Sequence, residues 1–346
     1  MSDAELGILI LWVFLFVYSI AGSIDFGAGF WSMVFGTKRD TKAADIANRF
    51  LSPSWKVTNV FLVLFVVAFV GFFPFATSTL GALLALPAGL ALALLVLRSA
   101  FLVYAYSTHQ YSGLLPFVSG VTGLLIPGLL VSALPLTLGG FLATSPDGDS
   151  VLLFGKLLSS PTLYAHLGFG LSTELFLSAL FLADYSREGD DERSYRVYRN
   201  AAIALGPTTL GMGVLTSVTF VPEAQWIARG IVEQWGWFAF SVVSFAVGYS
   251  ALWWKDPRGR TGFARVAVLA IVAQYAFASI GYGRAHMPYL VYPLLTIEDG
   301  FTTPQMFNAL LVGYAVGIGV LVPVFVWFWR LFLKDKAYLR QGGGES

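Results

Sequence analysis

Long apolar segments separated by short polar ones run along nearly the whole chain. A helix needs roughly 20 residues to cross a hydrocarbon core of about 30 Å, and these segments are long enough to do so. They predict nine transmembrane helices, at residues 6–34, 57–79, 80–106, 113–141, 161–183, 200–221, 235–254, 265–283 and 305–333. The pattern is therefore typical of an all-α, polytopic membrane protein with a single transmembrane domain over residues 1–346.

Two acidic residues at corresponding places indicate how nine helices could be arranged. Asp25 lies in the first predicted helix and Glu174 in the fifth, so an acidic helix opens each of two groups of four. This placement fits two related four-helix bundles plus one additional helix, although the residues show no convincing internal repeat.

The composition excludes several classes of protein. Hydrophobic residues make up 57% of the chain and charged residues 12%, whereas a soluble domain usually carries about 25% charged residues. A formal net charge of +1 provides no basic field for nucleic acid. The chain contains no cysteine, which excludes disulfides, thiolate ligation of haem and an iron–sulfur cluster bound by this chain alone.

The basic residues are distributed unevenly between the two sides of the predicted bundle. If the N-terminus is outside, 17 of the 21 Lys and Arg residues fall on the cytoplasmic side. Lys156, Arg229 and Arg284 fall on the outer side, and Arg98 lies within a helix. Because cytoplasmic loops carry an excess of Lys and Arg, the distribution predicts an outer N-terminus and a cytoplasmic C-terminus.

A few ionisable side chains fall at membrane depth, where an isolated charge costs at least roughly 2.5–3.5 kcal/mol. They are Asp25, Arg98, Glu174 and His166. Asp25 shares one helix face with two glycines, which directs its carboxyl toward a neighbouring helix rather than toward lipid. It is either a proton-relay group or one half of an ion pair, with Arg98 as partner, that fixes helix packing.

Glu174 and His166 lie on one face of the fifth helix, about 12 Å apart at 1.5 Å per residue. Aligned titratable groups can pass protons, but the same groups can form a satisfied hydrogen-bonded seam, and the relay interpretation is kept for Glu174 alone. The other histidines, His109 and His286, fall in loops. His166 is therefore the only candidate haem ligand, and we expect neither haem ligation nor a metal site in this chain.

Three segments resemble subunit II of cytochrome bd-type quinol oxidases. Residues 23–30 read SIDFGAGF and resemble the Asp-x-Gly-x-Gly end of the first helix in that family, with Gly27 and Gly29 at the motif positions. Residues 51–62 read LSPSWKVTNVFL and are similar to the family segment that contains Trp55, position 56 and Asn59. Residues 295–303 read LTIEDGFTT and look like the last outer loop before the final helix.

This resemblance implies that the chain is the non-haem-ligating subunit II of a membrane quinol:oxygen oxidoreductase in the bacterial plasma membrane. Its implied partner is a larger subunit I, which holds haem b, haem d and the quinol-oxidising site, and a small single-helix subunit is an additional candidate partner. The short loops are similar to the Gram-positive form of the subunit, which implies menaquinol as the electron donor. The complex would reduce oxygen to water with protons drawn from the cytoplasm.

One position departs from the family pattern. The family usually has Asp or Glu after Trp55, whereas this chain has Lys56. A lysine at the membrane surface is typically an anchor. A proton route would then pass through Asp25 or Glu174, with Arg98 in the same polar network, or would run wholly through subunit I.

Two other functions are consistent with the residues. Buried carboxylates in a multi-span bundle also occur in proton-coupled secondary transporters, although this chain shows no detectable inverted repeat. An assembly protein without any functional titratable group is the second alternative.

Overall fold

The fold was analysed in a computed structural model, which describes residues 2–36, 42–108, 114–144 and 150–332. The first half of the chain consists of helices and one small hairpin. In chain order these are α1 (Asp3–Phe35), α2 (Ala43–Phe72), α3 (Pro74–Thr108), α4 (Leu114–Val131), α5 (Ala133–Thr137), β1 (Leu142–Thr144), β2 (Ser150–Leu152) and α6 (Phe154–Leu158). Strands β1 and β2 pair antiparallel.

The second half of the chain also consists of helices and one small antiparallel strand pair. Its elements are α7 (Pro161–Glu188), α8 (Glu192–Glu223), α9 (Gln225–Glu233), α10 (Trp235–Ser250), α11 (Ala264–His286), β3 (Tyr289–Val291), β4 (Leu295–Thr296), α12 (Ile297–Gly300) and α13 (Pro304–Phe332). Strands β3 and β4 also pair antiparallel. The all-α, polytopic fold class is therefore confirmed.

The predicted number of nine transmembrane helices is not confirmed. Among the described residues, seven helices are long and apolar enough to cross a membrane, and α9 with α10 forms an eighth if this pair, bent by 74°, is one span. Helix α2 contributes the shorter apolar stretch Thr58–Phe72, which is not among these seven. The second and third helices also meet near Pro74 rather than at residue 80, because a proline without an N–H suits the first turn of a helix.

Helix α1 lies at the centre of the molecule. It contacts α2, α4 and α7, while α3 packs on α4. A second group is formed by α7, α8, α10 and α11, and α13 packs on α2. These contacts match the predicted plan of two four-helix groups and one additional helix.

The connections between helices collect at two opposite ends of the bundle. One end, which we call the basic end, joins the start of α2, the α7–α8 connection and the α10–α11 connection. Its bonds run from Tyr198 to Ala43, from Arg199 to Leu252, and from Arg265 to Asp184. The opposite end is held by bonds from Ser160 to Glu223, from Tyr292 to Thr137 and from Thr302 to Phe72.

Glycines in α1 allow two neighbouring helices to approach it closely. A Cβ at Gly27 would collide with the side chain of Ser178 on α7. A Cβ at Gly29 would lie 2.7 Å from the Ser119 carbonyl oxygen on α4, and one at Gly123 of α4 would lie 2.5 Å from the Phe26 carbonyl oxygen. Backbones that approach this closely are typical of helix contacts in membranes.

We expect Gly29→Ala to destabilise the protein, because the new methyl group would meet a backbone carbonyl that cannot rotate away. Overpacking of this kind costs roughly 1–3 kcal/mol, which exceeds the gain of roughly 0.5–1 kcal/mol for replacing a helical glycine by alanine. Thermal unfolding of the purified protein, followed by tryptophan fluorescence, measures the effect.

Gly81→Ala in α3 is the matched control, since nothing lies within 4 Å of a Cβ at that position. The control should unfold at the wild-type temperature or slightly above it. Equal unfolding temperatures for Gly29→Ala and wild type would contradict the close approach of α1 and α4.

Candidate functional site

The guanidinium of Arg98 is the centre of a buried polar group in the transmembrane region. Arg98 projects from α3, is 2% exposed and reaches both α1 and α4. Its Nη1 donates to the Ser119 carbonyl oxygen at 2.6 Å and to Thr122 Oγ1 at 3.4 Å, and its Nη2 donates to the Asp25 carbonyl oxygen at 3.0 Å. The face of the Phe26 ring lies 5.1 Å from the guanidinium carbon.

Asp25 supplies the opposite charge. Its Oδ2 lies 3.6 Å from Arg98 Nη2, and the residue is 3% exposed. An ion pair removed from water is stable only when further hydrogen bonds satisfy both groups. The α4 carbonyl and hydroxyl groups provide such bonds to Arg98, so the structure brings together the two residues that the sequence suggested as partners.

Glu174 lies on α7, on the other side of α1, and is completely buried. Within the described residues, neither of its carboxyl oxygens has a hydrogen-bond partner. Arg98 nevertheless lies near enough to act on it electrostatically. The next turn of α7 does form hydrogen bonds. Trp31 Nε1 donates to Ser178 Oγ at 2.9 Å, and Ser178 Oγ donates to the Glu174 carbonyl oxygen at 2.7 Å.

Further unused hydrogen-bonding groups surround the same guanidinium. The hydroxyls of Tyr18 and Ser119 are buried and have no partner among the residues that the structure describes. Both Asp25 and Arg98 act electrostatically on Tyr18. Buried polar groups are nearly always hydrogen-bonded, so several of them without a described partner in one place make this centre the candidate functional site. We call Tyr18, Asp25, Arg98, Ser119 and Glu174 the Arg98 centre.

His166 belongs to a different part of the molecule. It is buried, its Nδ1 lies 2.7 Å from the Thr162 carbonyl oxygen, and its ring packs edge-on against Phe220. The charge that acts on it is Glu223, at the opposite end of the bundle. The structure thus places His166 on the same helix as Glu174, as predicted, but gives the two residues separate surroundings.

The described residues contain no cluster of metal-ligating side chains. Within residues 2–36, 42–108, 114–144 and 150–332, no group of three or more His, Cys, Asp or Glu side chains could hold a metal ion. His286 ends α11, and its ring nitrogens lie 2.9 Å from the Tyr289 carbonyl oxygen and 3.2 Å from Thr137 Oγ1. His109 lies outside the described residues. Both ring nitrogens of His286 are engaged in these contacts, so its surroundings do not fit an axial haem ligand.

The motif positions divide into those with a visible structural role and those without one. Gly27 and Gly29 determine how closely α7 and α4 approach α1. Asn59 lies half-buried on α2. The side chains of Trp55 and Lys56 lie outside the described parts of the chain. The role of Lys56 as a membrane anchor therefore stays a prediction.

Sequence reasoning missed the residues of α4 and the tyrosine that complete the Arg98 centre. Ser119 binds Arg98 through its backbone carbonyl, a group that every residue has, so its identity carried no signal. Residues 119–123 read SGVTG, and such a run of small residues is typical of close helix packing. That run was the one available indication that α4 approaches α1.

Comparison with known proteins places the whole chain in one family. The family model described as cytochrome bd terminal oxidase subunit II matches residues 4–332. A protein of Bacillus subtilis (strain 168), provisionally described as a cytochrome bd menaquinol oxidase subunit II, is 44% identical over 342 residues, 98% of each chain. A chain of the bd oxidase structure from Geobacillus thermodenitrificans matches with a TM-score of 0.80 and 33% identity, over 97% of this chain and 100% of that one. The chain therefore belongs to the cytochrome bd terminal oxidase subunit II family.

Proposed function

We propose that this chain acts as the subunit without haem ligands in a membrane quinol:oxygen oxidoreductase, with a larger subunit I as its partner. Family membership over nearly the whole chain carries this proposal. In such a complex haem b and haem d, held by subunit I, supply the electron transfer and oxygen reduction. The description of the Bacillus subtilis relative as a menaquinol oxidase subunit supports menaquinol as the electron donor.

The proposed orientation has the N-terminus outside and the C-terminus in the cytoplasm of a bacterial cell. The distribution of charge supports it, because the α7–α8 and α10–α11 connections lie at one end and carry eight of the basic residues that were assigned to the cytoplasm. These residues are Arg187, Arg193, Arg196, Arg199, Lys255, Arg258, Arg260 and Arg265. Protons for water formation would then enter from the basic end.

The surface proposed for subunit I is formed by α13 and the adjacent part of α2. From residue 310 to residue 327, no residue of α13 is buried, although the helix packs on α2. Its bare side carries Gly313 and Gly317, and nothing lies within 4 Å of a Cβ at either position. Small residues four apart permit close packing with another transmembrane helix, so this side fits a helix of subunit I better than it fits lipid alone.

Replacement of Val316 by tryptophan should weaken the association with subunit I. Val316 is 65% exposed between the two glycines, and a large side chain there would hold a partner helix away. The measurement is the yield of subunit I that co-purifies with a tagged form of this chain. We expect a loss of about tenfold, which corresponds to 1.4 kcal/mol of association free energy.

Val214→Trp on α8 is the control, because Val214 is also an exposed valine at 58% but lies on another face of the bundle. The control should co-purify with subunit I as well as wild type does. Full association of Val316→Trp, or equal loss in both variants, would refute the proposed surface.

The Arg98 centre is proposed to hold or transfer protons. It contains one guanidinium and two carboxyl groups, and Asp25 is the carboxyl in direct contact with Arg98. A second carboxylate at Glu174, buried and without a hydrogen bond among the described residues, would cost several kcal/mol if it were charged. In this proposal Glu174 is the group that carries the transferred proton, and Asp25 is the counter-ion of Arg98.

The same observations bear on the two alternative functions, a secondary transporter and a purely structural subunit. A secondary transporter has no support from the comparisons, since the whole chain matches an oxidase subunit family. A purely structural subunit would need Asp25 and Arg98 but would have no use for Glu174, whose carboxyl forms no bond with the residues described. A substitution at Glu174 can therefore separate an effect on proton transfer from an effect on assembly.

Glu174→Gln should assemble normally but lower the turnover of the oxidase. The amide has nearly the same shape as the protonated carboxyl and adds no charge, so packing around α1 and α7 is kept. If Glu174 transfers protons, we expect oxygen consumption per haem to fall at least about 100-fold, the lower end of the range for loss of one proton-transfer group. Oxygen uptake by purified complexes of equal haem content is the measurement.

Asp25→Asn provides the contrast, because it leaves Arg98 buried without its counter-ion. Removing one partner of a buried ion pair costs roughly 3–5 kcal/mol, so this variant should lose assembled complex before it loses turnover per haem. Arg98→Met combined with Asp25→Asn should recover part of the assembly. Wild-type turnover in Glu174→Gln would rule out the proton-transfer role and favour a purely structural subunit.

A further inference from the structure

The basic end of the bundle is divided into a neutralised part and a part with uncompensated positive charge. In the neutralised part each guanidinium contacts a carboxylate of the α7–α8 or α10–α11 connection. The pairs join Arg187 to Glu192 and Asp256, Arg258 to Asp190, Arg260 to Glu192 and Asp256, and Arg265 to Asp184 and Glu188. The acidic residues near these loops are therefore already engaged.

Arg196 and Arg199 belong to the uncompensated part. They lie three residues apart in the first turns of α8, so they are neighbours on the helix surface. Their only hydrogen bonds to described residues use Nε, from Arg196 to the Glu192 carbonyl oxygen at 3.3 Å and from Arg199 to the Leu252 carbonyl oxygen at 2.7 Å. Among the described residues no carboxylate lies within 4 Å of either guanidinium, and both Nη groups of each remain available.

Exposed aromatic and apolar side chains adjoin these two arginines. The Arg199 guanidinium carbon lies 5.9 Å from the centre of the Trp253 ring, and Trp253 is 49% exposed just beyond the end of α10. Further along the bundle, Val247 of α10 and Leu210 of α8 are both 39% exposed. Tryptophan is enriched where headgroups meet acyl chains, so Trp253 marks the depth of the membrane surface.

We propose that Arg196, Arg199 and Trp253 bind the phosphate of an anionic phospholipid, whose acyl chains lie along the exposed faces of α8 and α10. Guanidinium groups bind phosphate oxygens with paired, charge-assisted hydrogen bonds, and the free Nη groups are available for this. Lys255, two residues after Trp253, has no carboxylate partner among the described residues and adds positive charge to the same loop. Basic pockets between transmembrane helices are a known form of lipid headgroup site.

The surroundings favour a lipid over an acidic peptide. A peptide carboxylate would satisfy the guanidinium groups, but Trp253 and the exposed apolar faces of α8 and α10 place these groups at the membrane surface, where a phospholipid headgroup is the neighbouring anion. A phospholipid satisfies the charge and the apolar surface together. The charge also predicts selectivity for phosphatidylglycerol over phosphatidylcholine, because the choline group would place a second positive charge beside the arginines.

Native mass spectrometry of the purified oxidase complex tests this site, with phosphatidylglycerol or phosphatidylcholine added to the detergent solution. Wild type should retain phosphatidylglycerol preferentially. Each basic residue contributes about 1 kcal/mol to binding an anionic lipid surface, so Arg196→Gln should weaken retention about fivefold, and Arg196→Gln with Arg199→Gln about 25-fold. Arg258→Gln is the matched control, because Arg258 is 65% exposed at the same end but is paired with Asp190.

Arg199 also donates a hydrogen bond to the Leu252 carbonyl oxygen, so its replacement by glutamine could affect folding as well as charge. The variant Arg199→Lys keeps the positive charge and therefore tests the effect of charge separately. Retention of phosphatidylglycerol by Arg199→Lys above that of the double glutamine variant supports a headgroup site, since the charge is kept and only the paired hydrogen bonds are lost. The proposal fails if wild type retains both lipids equally, if the double glutamine variant retains phosphatidylglycerol as wild type does, or if Arg258→Gln loses it equally. Displacement of the lipid by excess inorganic phosphate, or a polypeptide bound in its place, would also overturn it.

Discussion

The contact between Arg98 and Asp25 determines how the helices of the first group are placed. A guanidinium at membrane depth must be compensated, and a single carboxylate leaves most of its donors unused. The remaining donors reach the carbonyl oxygens of Asp25 and Ser119, which lie on two different helices. Arg98 can therefore be satisfied only if α3, α1 and α4 meet at one point. The glycines at positions 29 and 123 are consequences of that requirement, because a larger residue at either would separate the backbones that Arg98 joins.

The same close packing explains why Glu174 differs from Asp25. Gly27 allows α7 to approach α1 closely. One turn further along α1, a hydrogen bond from Trp31 Nε1 to Ser178 Oγ joins the two helices. This arrangement buries Glu174 completely, but no described residue donates a hydrogen bond to its carboxyl group. A polar group that packing alone required would be expected to have a partner, as Asp25 does. The asymmetry between the two carboxyls is therefore the physical reason to assign them different roles.

Much of the fold was readable from hydropathy, and much of the site was not. Apolar segment length located every long helix, because membrane thickness fixes how many apolar residues a crossing needs. It misplaced the boundary between α2 and α3, since apolar residues continue on both sides of Pro74 and only the proline marks the turn. The ion pair was foreseeable because Asp25 and Arg98 are rare charges at membrane depth. Ser119 was not, since it contributes a backbone carbonyl, and Tyr18 resembled an ordinary aromatic residue in an apolar helix.

Exposure alone does not tell which face of a membrane protein meets lipid and which meets protein, because lipid covers an apolar surface as well as a partner does. What distinguishes the faces here is chemistry. Gly313 and Gly317 on α13 leave the helix backbone uncovered on that side, which suits the close approach of another helix. Arg196 and Arg199 at the end of α8 offer charge beside an exposed tryptophan, which suits a headgroup. The two surfaces belong to different helix groups, so a subunit of this plan can bind a protein partner with one and the surrounding bilayer with the other.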